Sequence, residues 1–211
     1  MTLPHAVILA GGRGERLGGI RKAELRLGGK RCLDRIAAAL GPVDTPLMVA
    51  VGPEATALSL PAGAEAMADL TPTQGGPLAG LAAAIQALRA RGIEQGLLVS
   101  VAVDTPLLPD DFASAMSAAL GDAAAGFAAW GEDFYPTNAI WRIEALADLP
   151  SMWLSGKGPT SPRALLANLD GRRIDWRDRC PGNPFRNMNT LADLLHLQRM
   201  LAKQSPVLRE K

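Results

Sequence analysis

The chain has 211 residues, a formal net charge of +1, 48% hydrophobic residues and 4% aromatic residues. That length suits one α/β domain, and the hydrophobic content argues against disorder as the default. The near-neutral charge and scarce aromatics exclude a general nucleic-acid binder with a stacking platform.

Residues 6–10 read as a buried first strand closed by Gly11-Gly12. Residues 13–35 then carry eight basic side chains against three acidic ones, so the rest of the chain is net acidic. A local positive field beside a glycine turn suits a polyanionic small molecule, whereas the plainer reading is a solvated basic face. Residues 32–40 read as a helix with Leu33, Ile36, Ala37 and Leu40 on one face, stopped by Gly41-Pro42. Strands are expected at 47–51, at 64–68 and, fully apolar, at 97–103, where the run ends on Asp104. A long helix is expected from about Pro77 to about Arg91, with proline tolerated in its first turn. Another is expected to open at Asp110-Asp111. Residues 135–142 have strand character, 150–163 read as a loop rich in Pro, Gly and Ser, and 183–190 lead into a final leucine-rich helix with a frayed tail after Lys203.

Alternation of strand and helix through residue 120 implies a three-layer α/β/α domain, Rossmann-like, with a mainly parallel sheet. Such sheets bind ligands beyond the C-terminal ends of their strands, so the glycine turn and Asp104 can share one crevice. Cys32 and Cys180 lack metal spacing and are too few for a disulfide framework. No apolar run reaches signal-peptide or membrane-span length, so a cytoplasmic protein with no membrane and no nucleic-acid partner is expected.

Chemistry concentrates first in the stretch from Leu9 to Lys22, Leu-Ala-Gly-Gly-Arg-Gly-Glu-Arg-Leu-Gly-Gly-Ile-Arg-Lys. Glycines let backbone N–H groups approach phosphate oxygens, and Arg16 and Lys22 add charge from an exposed loop. The alternative is a tight turn with no ligand. Walker A fails because Ile20 follows Gly19, and the dinucleotide fingerprint fails because Leu17 stands where its third glycine belongs. Asp104 ends an apolar strand, and its hard carboxylate suits Mg²⁺, which uses one or two carboxylates plus substrate phosphates. A turn-forming role is the alternative. Asn187 and Asn189 flank Met188, so an extended backbone points both amides to one side. Asn189 alternatively caps the last helix. His5 and His196 carry no catalytic signal.

The Leu9–Lys22 stretch resembles the signature of nucleotidyltransferases with the nucleotide-diphosphosugar transferase fold, and within them the molybdenum cofactor guanylyltransferase family. Four later segments match in order: Ala68-Asp69 followed by Gly76-Pro77-Leu78-Ala79-Gly80; Val103-Asp104-Thr105-Pro106 followed by Pro109; Tyr135-Pro136-Thr137; and Phe185-Arg186-Asn187-Met188-Asn189-Thr190. The likeness spans about residues 6–200. It departs from the family pattern at Arg21, where Asp is common, at Arg31-Cys32, where a basic residue is followed by proline, and at Gly52-Pro53, where some members have Asn.

The resemblance implies one nucleotidyltransferase domain over 1–211, with a nucleotide half of about 1–110 and an acceptor half of about 111–203. It implies GMP transfer from GTP to molybdopterin with release of pyrophosphate, Mg²⁺ as cofactor, and proteins of cofactor biosynthesis or delivery as further partners. Lys22 and Asp104 would be catalytic, with Asp104 the metal ligand. The nucleotide would be held by Leu9, Ala10, Gly11, Gly12, Arg16, Gly19, Lys22, Asp69, Gly76, Gly80 and Asp104. The acceptor would be held by Pro136, Thr137, Asn187 and Asn189. The open alternatives are a transferase using CTP or a sugar phosphate, and a catalytically silent nucleotide-binding protein.

Overall fold

The computed structural model describes residues 2–12, 18–52, 58–71 and 75–204. Its main sheet has seven strands. In chain order they are β1 (His5–Leu9), β4 (Leu47–Gly52), β5 (Ala64–Ala68), β6 (Leu97–Ala102), β7 (Ala125–Trp130), β8 (Asp133–Arg142) and β9 (Arg172–Asp175). A separate hairpin pairs β2 (Arg26–Leu27) with β3 (Lys30–Arg31). The helices are α1 (Cys32–Ala39), α2 (Pro77–Ala90), α3 (Phe112–Leu120), α4 (Leu149–Leu154), α5 (Pro162–Asn168) and α6 (Leu191–Gln204).

The spatial strand order is β5-β4-β1-β6-β8-β7-β9. β1 runs parallel to both β4 and β6, and β8 is antiparallel to its neighbours β6 and β7. The expected mainly parallel three-layer architecture is therefore present. The chain winds outward from β1 through β4 to β5, then crosses back to place β6 on the other side of β1. That reversal is a topological switch point, which opens a crevice beyond the C-terminal ends of β1 and β6.

Two apolar cores sit on the two faces of the sheet. One packs Leu33 and Ile36 of α1 and Phe112 and Met116 of α3 against Ile8, Val49 and Val101. The other packs Leu81 and Ile85 of α2, Leu149 of α4 and Leu165 of α5 against Val7, Met48 and Leu98. Alternate residues of each strand feed opposite faces, as the period of two requires. A third cluster joins Leu27 of the hairpin and Cys32 to Met188 and Leu197 of the C-terminal segment.

Several expectations are corrected. Residues 150–163 do not form a plain loop: α4 covers its first part and α5 begins within it, with proline in the first turn of each. The Ser161 side chain accepts from Ala164 N–H and so caps α5, which offsets the lack of any long apolar period. The final helix is capped by Thr190, not Asn189. Thr190 Oγ1 accepts from Asp193 N–H while the Asp193 carboxylate accepts from Thr190 N–H, a reciprocal capping box. Much of the basic stretch is structural. Arg31 pairs with Asp34 and Glu24, Arg26 donates to Gly29 O, and Arg35 donates to Pro106 O. Arg13 and Arg16, like the tail from residue 205, lie outside the described residues.

Gly80 carries the closest packing of α2 onto the sheet. A Cβ there would lie 2.7 Å from Ala50 Cβ and 2.9 Å from Leu9 Cδ2. Alanine would gain about 1 kcal/mol of helix propensity. Overpacking against rigid strand residues costs about 1–3 kcal/mol and wins. Gly80→Ala is therefore expected to lower the melting temperature by roughly 2–4 °C per kcal/mol lost. An unchanged or raised melting temperature would show that α2 can shift freely.

Candidate active site

At the switch point lies a cleft of about 320 Å³. Its walls come from eight separated segments. Leu9 ends β1 and Gly11 and Gly12 follow it, Lys22 follows the glycine stretch, and Ala50 lies near the end of β4. Asp69 follows β5, and Gly76, Pro77 and Gly80 open α2. Ala102 ends β6, Val103 and Asp104 follow it, and Thr137 and Asn187 complete the rim. Ala10 is buried beneath this wall, its N–H donating to Ala50 O, and Gly19 is exposed away from it. Arg16 lies outside the described residues. Pro136 turns away into a neighbouring cleft.

Backbone contact makes the floor. Gly11 and Gly52 cross so closely that a Cβ on Gly11 would lie 3.1 Å from Gly52 Cα. Gly52 has φ +90°, a conformation L side chains rarely adopt. The two conditions account for glycine at 52, where an amide side chain would be both strained and crowded.

Lys22 is more covered than an exposed-loop reading implies. It opens a short 3₁₀ turn, Lys22–Glu24, and its side chain is 17% exposed. Its Nζ donates to Asp104 Oδ2 at 2.8 Å and to Asn189 Oδ1. An ammonium has three protons, so one remains for a further acceptor. The pair brings together residues 82 and 167 positions apart in sequence.

Asp104 is held from behind. Its own carbonyl accepts from Met188 N–H at 2.8 Å, which pins the Asn187-Met188-Asn189 strip to the turn. Met188 is buried while Asn187 lines the cleft and Asn189 reaches Lys22, so the alternation expected of an extended strip is present. Asn138, fully buried, accepts from Ala102 N–H at 2.9 Å and faces Thr105 Oγ1 at 3.3 Å. Thr105 Oγ1 in turn donates to Ala102 O, so Asn138 Nδ2 donates to it. Sequence reasoning passed over Asn138. Its signal was a lone amide inside the apolar strand Asn138-Ala-Ile-Trp141, a burial that needs dedicated partners.

Asp69 differs from Asp104. It is half-buried, its Oδ2 is buried without a hydrogen-bond partner among the described residues, and burial pushes its carboxyl up to about 6. A buried acceptor left open in a cleft wall is a place for a ligand's N–H groups. Among the described residues no group of three His, Cys, Asp or Glu can hold a metal. At the Lys22 end of the cleft Asp104 is the carboxylate, with Asp69 on the other wall, a donor set that fits an ion whose other ligands are phosphates and waters. No described helix is long and apolar enough to cross a membrane.

Comparison with known proteins matches residues 6–173 to the MobA-like NTP transferase domain. A molybdenum cofactor guanylyltransferase of Acidiphilium cryptum is 38% identical over 191 residues, covering 90% of this chain and 91% of the relative. One from Cereibacter sphaeroides is 33% identical, covering 94% and 97%. The solved structure of molybdopterin-guanine dinucleotide biosynthesis protein A from Archaeoglobus fulgidus shares the fold, with a TM-score of 0.70 at 20% identity over 94% of this chain and 99% of that one.

The raised Asp69 carboxyl has a stability consequence. The fold holds its proton more tightly than the unfolded chain does. The stability this contributes is fully present below about pH 4 and is lost as pH rises through about 6. Asp69→Asn removes that dependence. Melting curves between pH 4.5 and 7.5 are expected to show the wild type losing ground to Asp69→Asn with rising pH, the variant being the more stable at pH 7.5. Parallel curves would mean that the carboxylate is solvated.

Proposed function

This chain belongs to the MobA-like NTP transferase family, and from that premise we propose that this nucleotidyltransferase moves GMP from GTP to molybdopterin, releasing pyrophosphate. The observation that carries this reading is one cleft with two differently furnished ends. Asp69 offers an open buried acceptor, and Lys22, Asp104 and Asn189 form a hydrogen-bonded charge cluster. Its relatives of 38% and 33% identity bear the name of that activity.

In this reading the base lies between the glycine turn and the start of α2. Gly11, Gly12, Gly76 and Gly80 leave room for a bicyclic ring, and Leu9 and Pro77 give it apolar walls. Asp69 accepts from guanine N1–H and the exocyclic amine. That contact matters for selectivity, because a base lacking those donors leaves a buried carboxylate unpaired. Since Gly52 has no side chain, the base edge is read chiefly from the Asp69 side.

The phosphates run toward Lys22 and Asp104. An oxygen of the acceptor's terminal phosphate attacks the α-phosphorus, the new P–O bond forms, and the bond to the β-phosphate oxygen breaks with its electron pair leaving on pyrophosphate. The attacking oxygen is already anionic, so no strong general base is needed. Lys22 uses its remaining proton to hold a phosphate oxygen where negative charge gathers. Asn187 and Asn189 orient the acceptor phosphate through their amides, and Thr137 offers a hydroxyl on the same rim. Asp104 is the residue that would hold Mg²⁺, which supplies charge neutralisation across the phosphates when bound. Catalysis is then positioning and electrostatics, with the Asn138 and Thr105 contacts keeping the Asp104 turn in place. We assign the reaction to the cytoplasm; the free thiols of Cys32 and Cys180 suit a reducing compartment.

Lys22→Ala is expected to lower transfer by about 10²–10³, the size of one lost transition-state charge contact of roughly 2.7–4 kcal/mol. A melting curve run alongside separates this from unfolding. Wild-type turnover by the folded variant would remove Lys22 from the mechanism.

The reading as a whole is tested by competing GTP with CTP for transfer to molybdopterin at limiting enzyme. A kcat/KM ratio favouring GTP is expected, and Asp69→Asn is expected to narrow it. Equal use of the two, or preference for CTP, would overturn the guanylyl assignment while leaving nucleotidyl transfer in place. No pyrophosphate release with either would overturn the enzyme reading in favour of a silent binder.

A further inference from the structure

Beside the cleft just described lies a second one, of about 280 Å³. Phe127, Phe134 and Pro136 form its sheet side, and Arg163, Leu166 and Asp170 its α5 side. The two clefts are adjacent along the chain: Thr137 faces the first and Pro136 the second. They meet where β8 bulges. Phe127 pairs with Ala139 but Ala128 pairs with Tyr135, so residues 136–138 are released from the ladder and their side chains are re-aimed.

The second cleft is furnished for a flat, polar-edged ring. Phe134 is 40% exposed, a large ring left in water at the cleft's edge. Phe127 meets it edge-on at 6.3 Å, which fixes its plane. The Arg163 guanidinium stands 4.8 Å from the Phe134 ring centre. Guanidinium and phenyl planes both stack on heteroaromatic rings. Among the described residues, neither the Arg163 guanidinium nor the Asp170 carboxylate has a hydrogen-bond or ion-pair partner. The cleft therefore offers the surfaces that the Phe134–Arg163 pair leaves uncovered, guanidinium N–H groups without an acceptor among the described residues, and one open carboxylate.

Size points the same way. Ligand pockets usually span about 300–1,000 Å³, and each cleft stands near the lower end of that range. One cleft suits one nucleotide. A product with a heterocycle at each end of a pyrophosphate needs both.

We propose that this second cleft binds a fused bicyclic ring with a 2-amino-4-oxopyrimidine edge, stacked against Phe134 and Arg163, with its N–H and amino donors on Asp170. The occupant is the pterin of the acceptor. This rests on the acceptor named above. A guanine presents the same edge, so the occupant and the edge chemistry are tested separately.

The probe is neopterin, a soluble pterin, titrated by its fluorescence into the full chain saturated with GTP. Saturable binding is expected. Phe134→Ala is expected to weaken it at least about ten-fold, in line with the loss of one stacked ring, and Asp170→Asn to weaken it several-fold. Phe134 is exposed and Asp170 sits at φ +49°, which asparagine tolerates, so both variants should fold. GTP affinity should be unchanged in both. In turnover, the same variants should raise KM for molybdopterin while leaving KM for GTP alone. Neopterin binding unaffected by either substitution would overturn the proposal and leave the guanylyl reading intact. Displacement of neopterin by guanosine at equal concentration would show a second guanine site and overturn the pterin assignment. Failure of the wild type to bind GTP at all would instead sink the reading on which the proposal rests.

Discussion

Everything at the cleft depends on where the Asp104 main chain sits, and that is fixed by hydrogen bonds to atoms that ordinary strand pairing leaves free. The β6–β8 ladder ends at Ser100 and Ala139. Beyond it, Ala102 N–H has no strand partner on that side. The Asn138 side chain stands in for one, and Thr105 Oγ1 closes the turn onto Ala102 O. From the opposite side Met188 N–H holds Asp104 O. A buried donor left without these partners would cost about 1–3 kcal/mol, so the turn is pinned rather than merely allowed. Asp104 then fixes Lys22, and Lys22 fixes Asn189.

The cleft itself is a void created by missing side chains. Gly11, Gly52 and Gly80 let the end of β1, the end of β4 and the start of α2 approach at backbone distance. The same crowding decides what cannot be there. An asparagine at position 52 would be strained by the φ of +90° and crowded by Gly11, and on that side of the cleft the carboxylate is Asp69. The sequence's basic stretch contributes less than its charge suggests. Arg26, Arg31 and Arg35 are tied into the hairpin and α1, and Lys22 is the member of that stretch, among the described residues, that lines the cleft.

The first half of the fold was legible because its signals agree. Apolar strands end on glycine or aspartate, and α2 has proline at its start and an apolar face over four turns. The second half was hidden for physical reasons. β7 reads Ala-Gly-Phe-Ala-Ala-Trp, a composition with little intrinsic strand preference, and it becomes a strand because β8 and β9 flank it. α4 and α5 have six and seven residues, too few to display a 3.6 period. Of the site, Lys22, Asp104, Asp69 and the two asparagines could be picked out from spacing and family likeness, and the structure brings them into one region. Asn138 showed in the sequence only as a lone amide in an apolar strand; that it replaces a ladder hydrogen bond is visible only once the strand register shows which bond is missing.

The contact between Lys22 and Asn189 joins positions 167 residues apart. Contacts of that range form late, since the entropy of closing so long a loop is met before the contact returns anything. The sheet can pair β1 with β4 from nearby sequence, whereas the charge cluster must wait for Met188 to dock on the Asp104 turn and for α6 to settle on the hairpin. A chain still being synthesised can thus pair its early strands while the Lys22–Asp104–Asn189 cluster stays open until the C-terminal segment has emerged. The cleft's charged end is completed by the C-terminal segment and not by the sheet alone.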